Sequence, residues 1–257
     1  MIQVKPKKYF GQHFLTDLQI AHNIVESLPS DISSVLEIGP GTGVLTQFLI
    51  NNKDINFSAI EIDTEAIAFL HEKFPNLHLI EGDFLKMDLQ KEFGKQQFSI
   101  IGNFPYNISS QIFFKVLENR DQIPYVVGMI QKEVAERIAA KHGNKTYGIT
   151  SVLLQSFYTI EYLFTVNEHV FDPPPKVKSA VIRLSRNNVQ KLNCNETLFV
   201  RTVKTAFNQR RKTLRNSLKP LLNGLPTPEP IFNLRPEQLS VSDFIFLTNL
   251  LEEKLGK

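Results

Sequence analysis

The chain has 257 residues, 42% of them hydrophobic, which is enough to bury one sizeable core and a smaller second one. Its basic start is not followed by an apolar segment, and no apolar run approaches the roughly 18 residues of a membrane span, so we expect a cytoplasmic protein. The single cysteine, Cys194, has no partner for a disulfide or a zinc site. We therefore expect neither a metal nor a membrane among its ligands.

Charge is distributed unevenly along the chain although the net charge is only +3. Residues 1–190 hold 18 Lys and Arg against 20 Asp and Glu, whereas the remainder holds 11 against 6. A mildly acidic large part is thus joined to a basic small part with a net charge of +5. This asymmetry favours a polyanionic partner for the smaller part, and a solvated charged face is the alternative.

Strand-like and helix-like patterns alternate through the first two thirds of the chain. Residues 17–25 predict a helix, 34–38 a strand, and 44–50 a second helix after a glycine-rich turn. Further strand-like runs follow, with helical patterns between them, at 56–60, 77–80, 97–101 and 125–130. This order predicts an α/β fold with a mostly parallel, Rossmann-like sheet and helices on both faces.

The last third changes character. Two strand-like runs, 157–160 and 178–184, bracket a proline-rich segment at 171–176, and the pattern after residue 190 becomes helical. One long helix is predicted there, with a shared apolar face made of Phe199, Val203, Phe207, Leu214 and Leu218. We expect two domains: a catalytic domain with a basic N-terminal arm at 1–188, and a small helical domain at 189–257. A disordered tail is the alternative for the arm.

The tetrad Asn103-Phe104-Pro105-Tyr106 directly follows the buried strand at 97–101. The carboxyl ends of parallel strands are where ligands bind in open α/β sheets. The Asn103 side-chain oxygen and the Phe104 carbonyl are suited to accept both hydrogens of an exocyclic amine, while Tyr106 stacks on the base and Pro105 stiffens the turn. The tetrad predicts chemistry on a base, with an ordinary turn as the alternative.

Three other strand ends carry groups suited to a nucleoside. The turn 39–43 holds Gly39 and Gly41, which permit close approach of backbone to a ligand, but its spacing departs from the dinucleotide fingerprint. Glu61 and Asp83 follow the next two strands, where they are placed to accept ribose hydroxyls and an adenine amine. The set fits S-adenosylmethionine; helix capping by the two acids is the alternative.

An adenine amine is a weak nucleophile because its lone pair is delocalised into the ring. Accepting both of its hydrogens localises that pair and aims it at a sulfonium methyl, so the transfer needs positioning and electrostatic support rather than a metal. Phe171, beside three prolines, is a candidate second aromatic wall that would sandwich the base with Tyr106. A plain core position is the alternative for Phe171.

These residues resemble the KsgA-type small-subunit ribosomal RNA adenine dimethyltransferases, which are related to the erythromycin-resistance methylases. The resemblance covers nearly the whole chain and rests on QHFL at 12–15, LEIGPGTG at 36–43, EID at 61–63, GD at 82–83, GNFPYNISS at 102–110, QKEVAER at 131–137 and PPKVKSAV at 174–181. It implies a class I methyltransferase with a seven-stranded sheet and a helical C-terminal domain. It also implies S-adenosylmethionine contacts from His13, Leu15, Gly39, Glu61, Asp83 and Asn103.

The family commonly has Asn at the position of His13 and Leu at that of Phe104. Neither change removes the chemistry, since His13 can donate a hydrogen bond and Phe104 acts through its carbonyl. For His13 a satisfied surface position remains the alternative.

A basic run at 209–219 contains no acid, and on a helix its charges would face phosphates. Arg210, Arg211, Lys212 and Arg215 are its candidate RNA contacts, because RNA loops with splayed bases suit such a surface.

The resemblance implies dimethylation of two adjacent adenosines in a loop near the 3′ end of small-subunit ribosomal RNA, within a pre-ribosomal particle and by a monomer. Two alternatives stay open. One is a large-subunit methylase of the erythromycin-resistance type, and the other is an assembly factor with the same fold and little activity.

Overall fold

The computed structural model describes residues 4–256. The chain forms two compact units, the first running through Ala135 and resuming at Ile160–Arg186, and the second formed by Glu136–Thr159 and the chain from Asn187 onward. The second unit therefore begins close to the domain boundary predicted at residue 188 but also takes in residues 136–159. It does so because a helix in that segment packs against the first long helix after residue 187.

The first unit is organised around a seven-stranded sheet in the order β4-β3-β2-β5-β6-β9-β7. Its strands are β2 (Ser34–Ile38), β3 (Asn56–Glu61), β4 (His78–Glu81), β5 (Ser99–Asn103), β6 (Tyr125–Gln131), β7 (Tyr158–Val166) and β9 (Ser179–Arg186). The neighbours from β4 to β6 pair in parallel, and β9 pairs antiparallel with β6. The carboxyl ends of β2 to β5 consequently lie along one edge of the sheet, as the alternating pattern predicted.

Two short strands outside the sheet, β1 (Phe14–Leu15) and β8 (Phe171–Asp172), pair antiparallel with each other. Helices of the first unit are α1 (Leu18–Val25), α2 (Thr46–Leu49), α3 (Thr64–Lys73), α4 (Leu89–Phe93) and α5 (Ser109–Glu118), and α6 (Lys132–Ala139) crosses into the second unit. The helix predicted at 44–50 is thus shortened to four residues. β2 is buried at every position, because the sheet is covered on both faces.

The second unit is helical, with α7 (Ile149–Gln155), α8 (Glu196–Asn208), α9 (Leu214–Ser217), α10 (Lys219–Leu222) and α11 (Val241–Lys254). The prediction of one long helix through Leu218 is wrong. α8 ends at Asn208 because Gln209 leaves helical geometry (φ −126°, ψ 53°), and the N–H of Leu214 donates instead to the carbonyl of Leu234 at 2.8 Å. The apolar face is nevertheless used, since Phe199 and Val203 are buried.

Candidate active site

A cavity of about 250 Å³ lies at the edge of the sheet where β2, β3, β4 and β5 end. It is lined by nine of the residues predicted from sequence, namely His13, Gly39, Gly41, Glu61, Asp83, Asn103, Phe104, Pro105 and Tyr106. It is also lined by residues 9–13, which precede β1, and by Phe14, the first residue of β1. The structure therefore brings the predicted cofactor and catalytic groups into one space.

The glycine turn after β2 exposes backbone to this cavity. Gly39 has φ +66°, and a Cβ built on it would meet no atom within 4 Å, so the ligand side of this residue is open. Gly41 has φ +56° and lies against the Phe14 ring, 2.8 Å from the position of a Cβ. A side chain at Gly41 would thus displace the Phe14 ring, which forms part of the cavity wall. Both positions also favour glycine because their φ angles are positive.

Glu61, at the end of β3, is 4% exposed and accepts three backbone N–H bonds. Its Oε1 accepts from Ile62 and Asp63, and its Oε2 accepts from Gly41 at 3.0 Å. Burial raises the pKa of this carboxyl, and the three N–H bonds oppose that rise. Glu61 therefore braces the glycine turn but does not cap α3, whose N-cap is Asp63, and a ribose contact through Oε2 stays a prediction.

Asp83, after β4, also takes part in local structure. Its Oδ1 accepts from the N–H of Leu85 at 2.9 Å, and its Oδ2 lies 3.8 Å from the Lys86 ammonium. With 26% of its side chain exposed at the cavity, Asp83 has Oδ2 available to an amine.

Asn103 ends β5 and lines the cavity. Its side-chain Nδ2 donates to the His13 carbonyl at 2.8 Å, which leaves Oδ1 as the free acceptor. The next peptide is also fixed, because the N–H of Phe104 donates to the Met129 carbonyl at 3.0 Å. Within residues 4–256 no donor contacts the Phe104 carbonyl. Two acceptors in adjacent residues are thus held ready for an amine.

The Phe104 side chain is buried and does not carry the chemistry. Its ring covers Gly102 and Gly128, where a Cβ would lie 2.9 and 2.6 Å from ring atoms, and it meets Phe113 edge-on at 5.9 Å. Two glycines on neighbouring strands therefore make room for a phenyl ring under the tetrad.

Tyr106 is half-buried, and its hydroxyl forms a 2.6 Å hydrogen bond with the Ser179 hydroxyl at the start of β9. Burial raises the pKa of the phenol, and the Ser179 bond opposes that rise. The His13 ring stacks on Tyr106 with centroids 5.4 Å apart and 29° between planes, while its Nδ1 contacts the Pro173 carbonyl at 2.7 Å. His13 thus lines the cavity with its Nδ1 satisfied by a backbone carbonyl, and its contact with the cofactor stays a prediction.

Sequence reasoning missed how the N-terminal segment reaches the site. The Lys7 ammonium contacts the Asp63 carboxylate and lies 3.4 Å from Glu65, and the Gln12 amide donates to Asp63 at 2.9 Å. Hydrogen bonds from Lys7 and Gln12 lower the pKa of Asp63 although burial alone would raise it. The EID motif was the available signal, since its Asp63 both caps α3 and anchors Lys7.

Two residues predicted for the site lie in the core instead. Leu15 and Phe171 are 2% and 3% exposed, pair with each other through β1 and β8, and belong to one apolar cluster. Neither lines the cavity, so a sandwich of Phe171 and Tyr106 around a base is not supported by this geometry. The core alternative describes Phe171, and a cofactor contact from Leu15 stays a prediction.

The candidate RNA contacts all lie in the second unit. Arg210, Arg211 and Lys212 are exposed in the loop between α8 and α9, not on a helix. The Arg215 guanidinium donates to Thr227 at 2.7 Å and to Asn233 at 3.0 Å, which commits it to holding this unit together.

These residues fit S-adenosylmethionine. Three groups lie at successive strand ends around one cavity: the open backbone of Gly39, the Glu61 carboxylate and the Asp83 carboxylate. A nucleoside with a charged tail requires such an arrangement. Within residues 4–256 no group of three His, Cys, Asp or Glu side chains is arranged to hold a metal ion. The fold and the site define a class I S-adenosylmethionine-dependent methyltransferase that acts on an exocyclic amine.

Comparison with known proteins narrows this class. The family model described as "Ribosomal RNA adenine dimethylase" matches residues 3–233, so the chain belongs to that family. It is 60% identical to ribosomal RNA small subunit methyltransferase A of Bacteroides thetaiotaomicron, covering 98% of this chain and 96% of the relative. Identity to the protein of the same name from Cytophaga hutchinsonii is 59%, over 99% and 100% of the two chains.

Two solved structures share the fold over nearly the full length. A dimethyladenosine transferase from Plasmodium falciparum has a TM-score of 0.77 and 27% identity, covering 94% of this chain and 98% of that one. The 23S rRNA methyltransferase ErmE has a TM-score of 0.67 and 25% identity, with coverage of 95% and 100%. No helix among the described residues has the length and apolar character to span a bilayer.

Proposed function

We propose that this enzyme dimethylates the exocyclic amines of two adjacent adenosines in a loop near the 3′ end of small-subunit ribosomal RNA. The observation that carries the proposal is the pair of free acceptors at Asn103 Oδ1 and the Phe104 carbonyl beside the cofactor cavity. The substrate assignment rests on the relatives, because those at 59–60% identity carry a small-subunit name whereas the large-subunit enzyme ErmE is 25% identical.

The cofactor is held by groups that this chain supplies. Gly39 presents open backbone, and Gly41 lets the turn pack against the Phe14 ring beside it. Glu61 accepts from ribose through Oε2, and Asp83 accepts from the adenine amine through Oδ2. When bound, S-adenosylmethionine supplies an electrophilic methyl on a sulfonium whose leaving group is a neutral thioether.

Asn103 and Phe104 prepare the substrate amine. In the first transfer their two oxygens accept its two hydrogens, which turns the nitrogen lone pair out of the ring and fixes its direction. In the second transfer the monomethylated amine has one hydrogen left, and one of the two oxygens accepts it. Tyr106 supplies the stacking face, and the Ser179 hydroxyl and the His13 ring hold that tyrosine in place. A proton must leave the alkylated nitrogen, and the acceptor oxygens keep it hydrogen-bonded until solvent removes it. No strong base is needed because an alkylated adenine cation is acidic.

We infer that the substrate is RNA within a pre-ribosomal particle, that the enzyme acts as a monomer, and that it works in the cytoplasm where ribosomal subunits are assembled. The exposed Arg210, Arg211 and Lys212 support an RNA partner by their charge. Arg215 is carried in the proposal only as a support for that loop, since its guanidinium is occupied.

Subunit-resolved labelling tests the proposal. Purified small and large subunits lacking the modification are incubated with the enzyme and tritiated S-adenosylmethionine, and the label is mapped onto each RNA. We expect dimethyladenosine in the small-subunit RNA alone. Label confined to the large subunit favours the erythromycin-resistance type of enzyme. Binding to small subunits with no label in either RNA favours the assembly factor.

A further inference from the structure

Three segments of the second unit that are far apart in sequence meet beside the loop between α8 and α9. The Arg210 Nη2 donates to the Lys145 carbonyl, which joins that loop to residues 141–145. The N–H of Gly143 donates to the Glu237 carbonyl at 2.6 Å, and that of Leu214 donates to the Leu234 carbonyl at 2.8 Å. Residues 141–145 and 210–212 therefore form neighbouring loops held by backbone and side-chain bonds.

The two loops bring many uncompensated cations together. Every residue from 141 to 145 is exposed, and so is every residue from 210 to 212. The cationic side chains in and beside these loops are Lys141, Lys145, Arg210, Arg211, Lys212 and Arg235. Within residues 4–256 none of the six forms an ion pair. Their charge is thus directed to solvent.

Acidic residues are scarce in the same segments. Residues 137–148 and 197–228 contain no Asp or Glu, and the single acid in 234–238, Glu237, has its Oε2 buried. Cations gathered without counter-charges repel one another, and an external polyanion removes that cost. Arg210 places its own charge at the backbone of Lys145 rather than at a carboxylate, which concentrates charge instead of neutralising it.

We propose that the 141–145 loop is a second phosphate-contacting segment. It acts together with residues 210–212 to bind the phosphate backbone of structured RNA. Lys141 and Lys145 contact phosphates, and Arg210 both contacts phosphate and holds the 141–145 loop against its neighbour. The proposal rests on the proposed function for the identity of the RNA, but it assigns an RNA-contacting role to a segment that precedes α7. Neither the basic run at 209–219 nor the charge asymmetry after residue 190 indicated this segment.

The test uses the full chain and a transcribed small-subunit RNA fragment that spans the 3′ end. Binding of the wild type and of a Lys141→Gln/Lys145→Gln variant is measured from roughly 50 to 300 mM salt, the range in which phosphate contacts are lost. Each lost phosphate contact reduces the slope of log K against log salt by about 0.7–0.9. We therefore expect the magnitude of the negative slope to be smaller by about 1.5 in the variant than in the wild type. We also expect the RNA affinity of the variant at the lowest salt to be reduced about tenfold or more.

The matched control is Lys53→Gln/Lys95→Gln, which removes the same two charges from exposed positions of the first unit. Thermal unfolding of all three proteins reports whether they fold alike. A slope unchanged in Lys141→Gln/Lys145→Gln, or reduced equally in the control, overturns the proposal. Methyl transfer by the wild type is scored separately, so an enzyme that binds as expected but transfers no methyl refutes the proposed function and leaves this surface standing.

Discussion

Asn103 and His13 are joined by a 2.8 Å hydrogen bond in which the Asn103 side-chain nitrogen donates to the His13 carbonyl. Because this bond turns the amide nitrogen towards His13, Oδ1 is the end of the amide left to accept from substrate. The bond spans 90 residues of sequence and links β5 to the segment just before β1. The orientation of the acceptor is therefore fixed before any ligand binds, which is the condition for electrostatic preorganisation.

Asn103→Ala removes one of the two amine acceptors, and we expect kcat to fall by about 10²–10³-fold, the usual loss for one preorganised hydrogen-bonding group. RNA affinity is expected to change less than threefold, since Asn103 is not part of the basic loops. Single-turnover methyl transfer and RNA binding check the two expectations. Asn52→Ala, at an exposed turn, is the matched control. Full activity in Asn103→Ala would refute the acceptor role.

Two substitutions at Tyr106 distinguish the contribution of its stacking face from that of its hydroxyl hydrogen bond. Tyr106→Phe loses the bond to Ser179 but keeps the aromatic face, so we expect activity within about tenfold of wild type. Tyr106→Ala loses base stacking worth about 1–3 kcal/mol, which corresponds to roughly 5–150-fold weaker capture of the base. Fluorescence of 2-aminopurine at the target position measures base capture directly. Equal effects of the two substitutions would show that the hydroxyl, and not the ring, is the important group.

Much of this site was predictable because parallel strands end at a common edge. Alternating periodicity located β2 to β5, and the polar groups after those strands had to meet at one edge of the sheet. Contacts between distant segments were not predictable from local pattern. The Lys7 contact with Asp63 joins an arm to a strand end, and the pairing of Leu15 with Phe171 takes both into the core. Periodicity describes one element at a time and cannot report such pairings.

The end of α8 is a second feature that periodicity in the sequence did not predict. Phe199, Val203 and Phe207 have helical spacing with Leu214 and Leu218, and a continuous helix satisfied that pattern. The helix instead ends at Asn208, and the chain returns to the core at Leu214. There the N–H of Leu214 donates to the Leu234 carbonyl in place of a helical hydrogen bond. As a result, a loop rather than a helix presents the cations of 210–212 to solvent.

Phe104→Leu tests whether the unusual side chain has a catalytic role. The ring packs on Gly102 and Gly128, so the smaller leucine leaves a gap and is expected to cost about 1 kcal/mol of unfolding free energy. The kcat should stay within about threefold of wild type, since the chemistry uses the backbone carbonyl. Phe104→Ala, with the ring removed, should cost about 3–5 kcal/mol. A large fall in kcat for Phe104→Leu without loss of stability would assign the ring to the reaction.

We expect Glu37, in the fully buried strand β2, to make the stability of the protein depend on pH. Burial raises the pKa of this carboxyl to about 8, with a smaller rise from Glu61, although the Thr46 hydroxyl donates to it at 2.7 Å and opposes the rise. In the unfolded chain the same group titrates near its ordinary pKa of 4.5. Between those two values the folded state holds a proton that the unfolded state has released, so stability falls as pH rises through this window.

Glu37→Gln keeps the shape and an acceptor for Thr46 but has no proton to lose. We expect the variant and the wild type to have similar unfolding free energies near pH 5, and the variant to be more stable by about a few kcal/mol at roughly pH 8.5. Urea unfolding at both pH values measures the difference, and Thr46→Val shows how much the hydroxyl contributes. A pH-independent difference between Glu37→Gln and wild type would mean that Glu37 is ionised in the folded protein throughout this range.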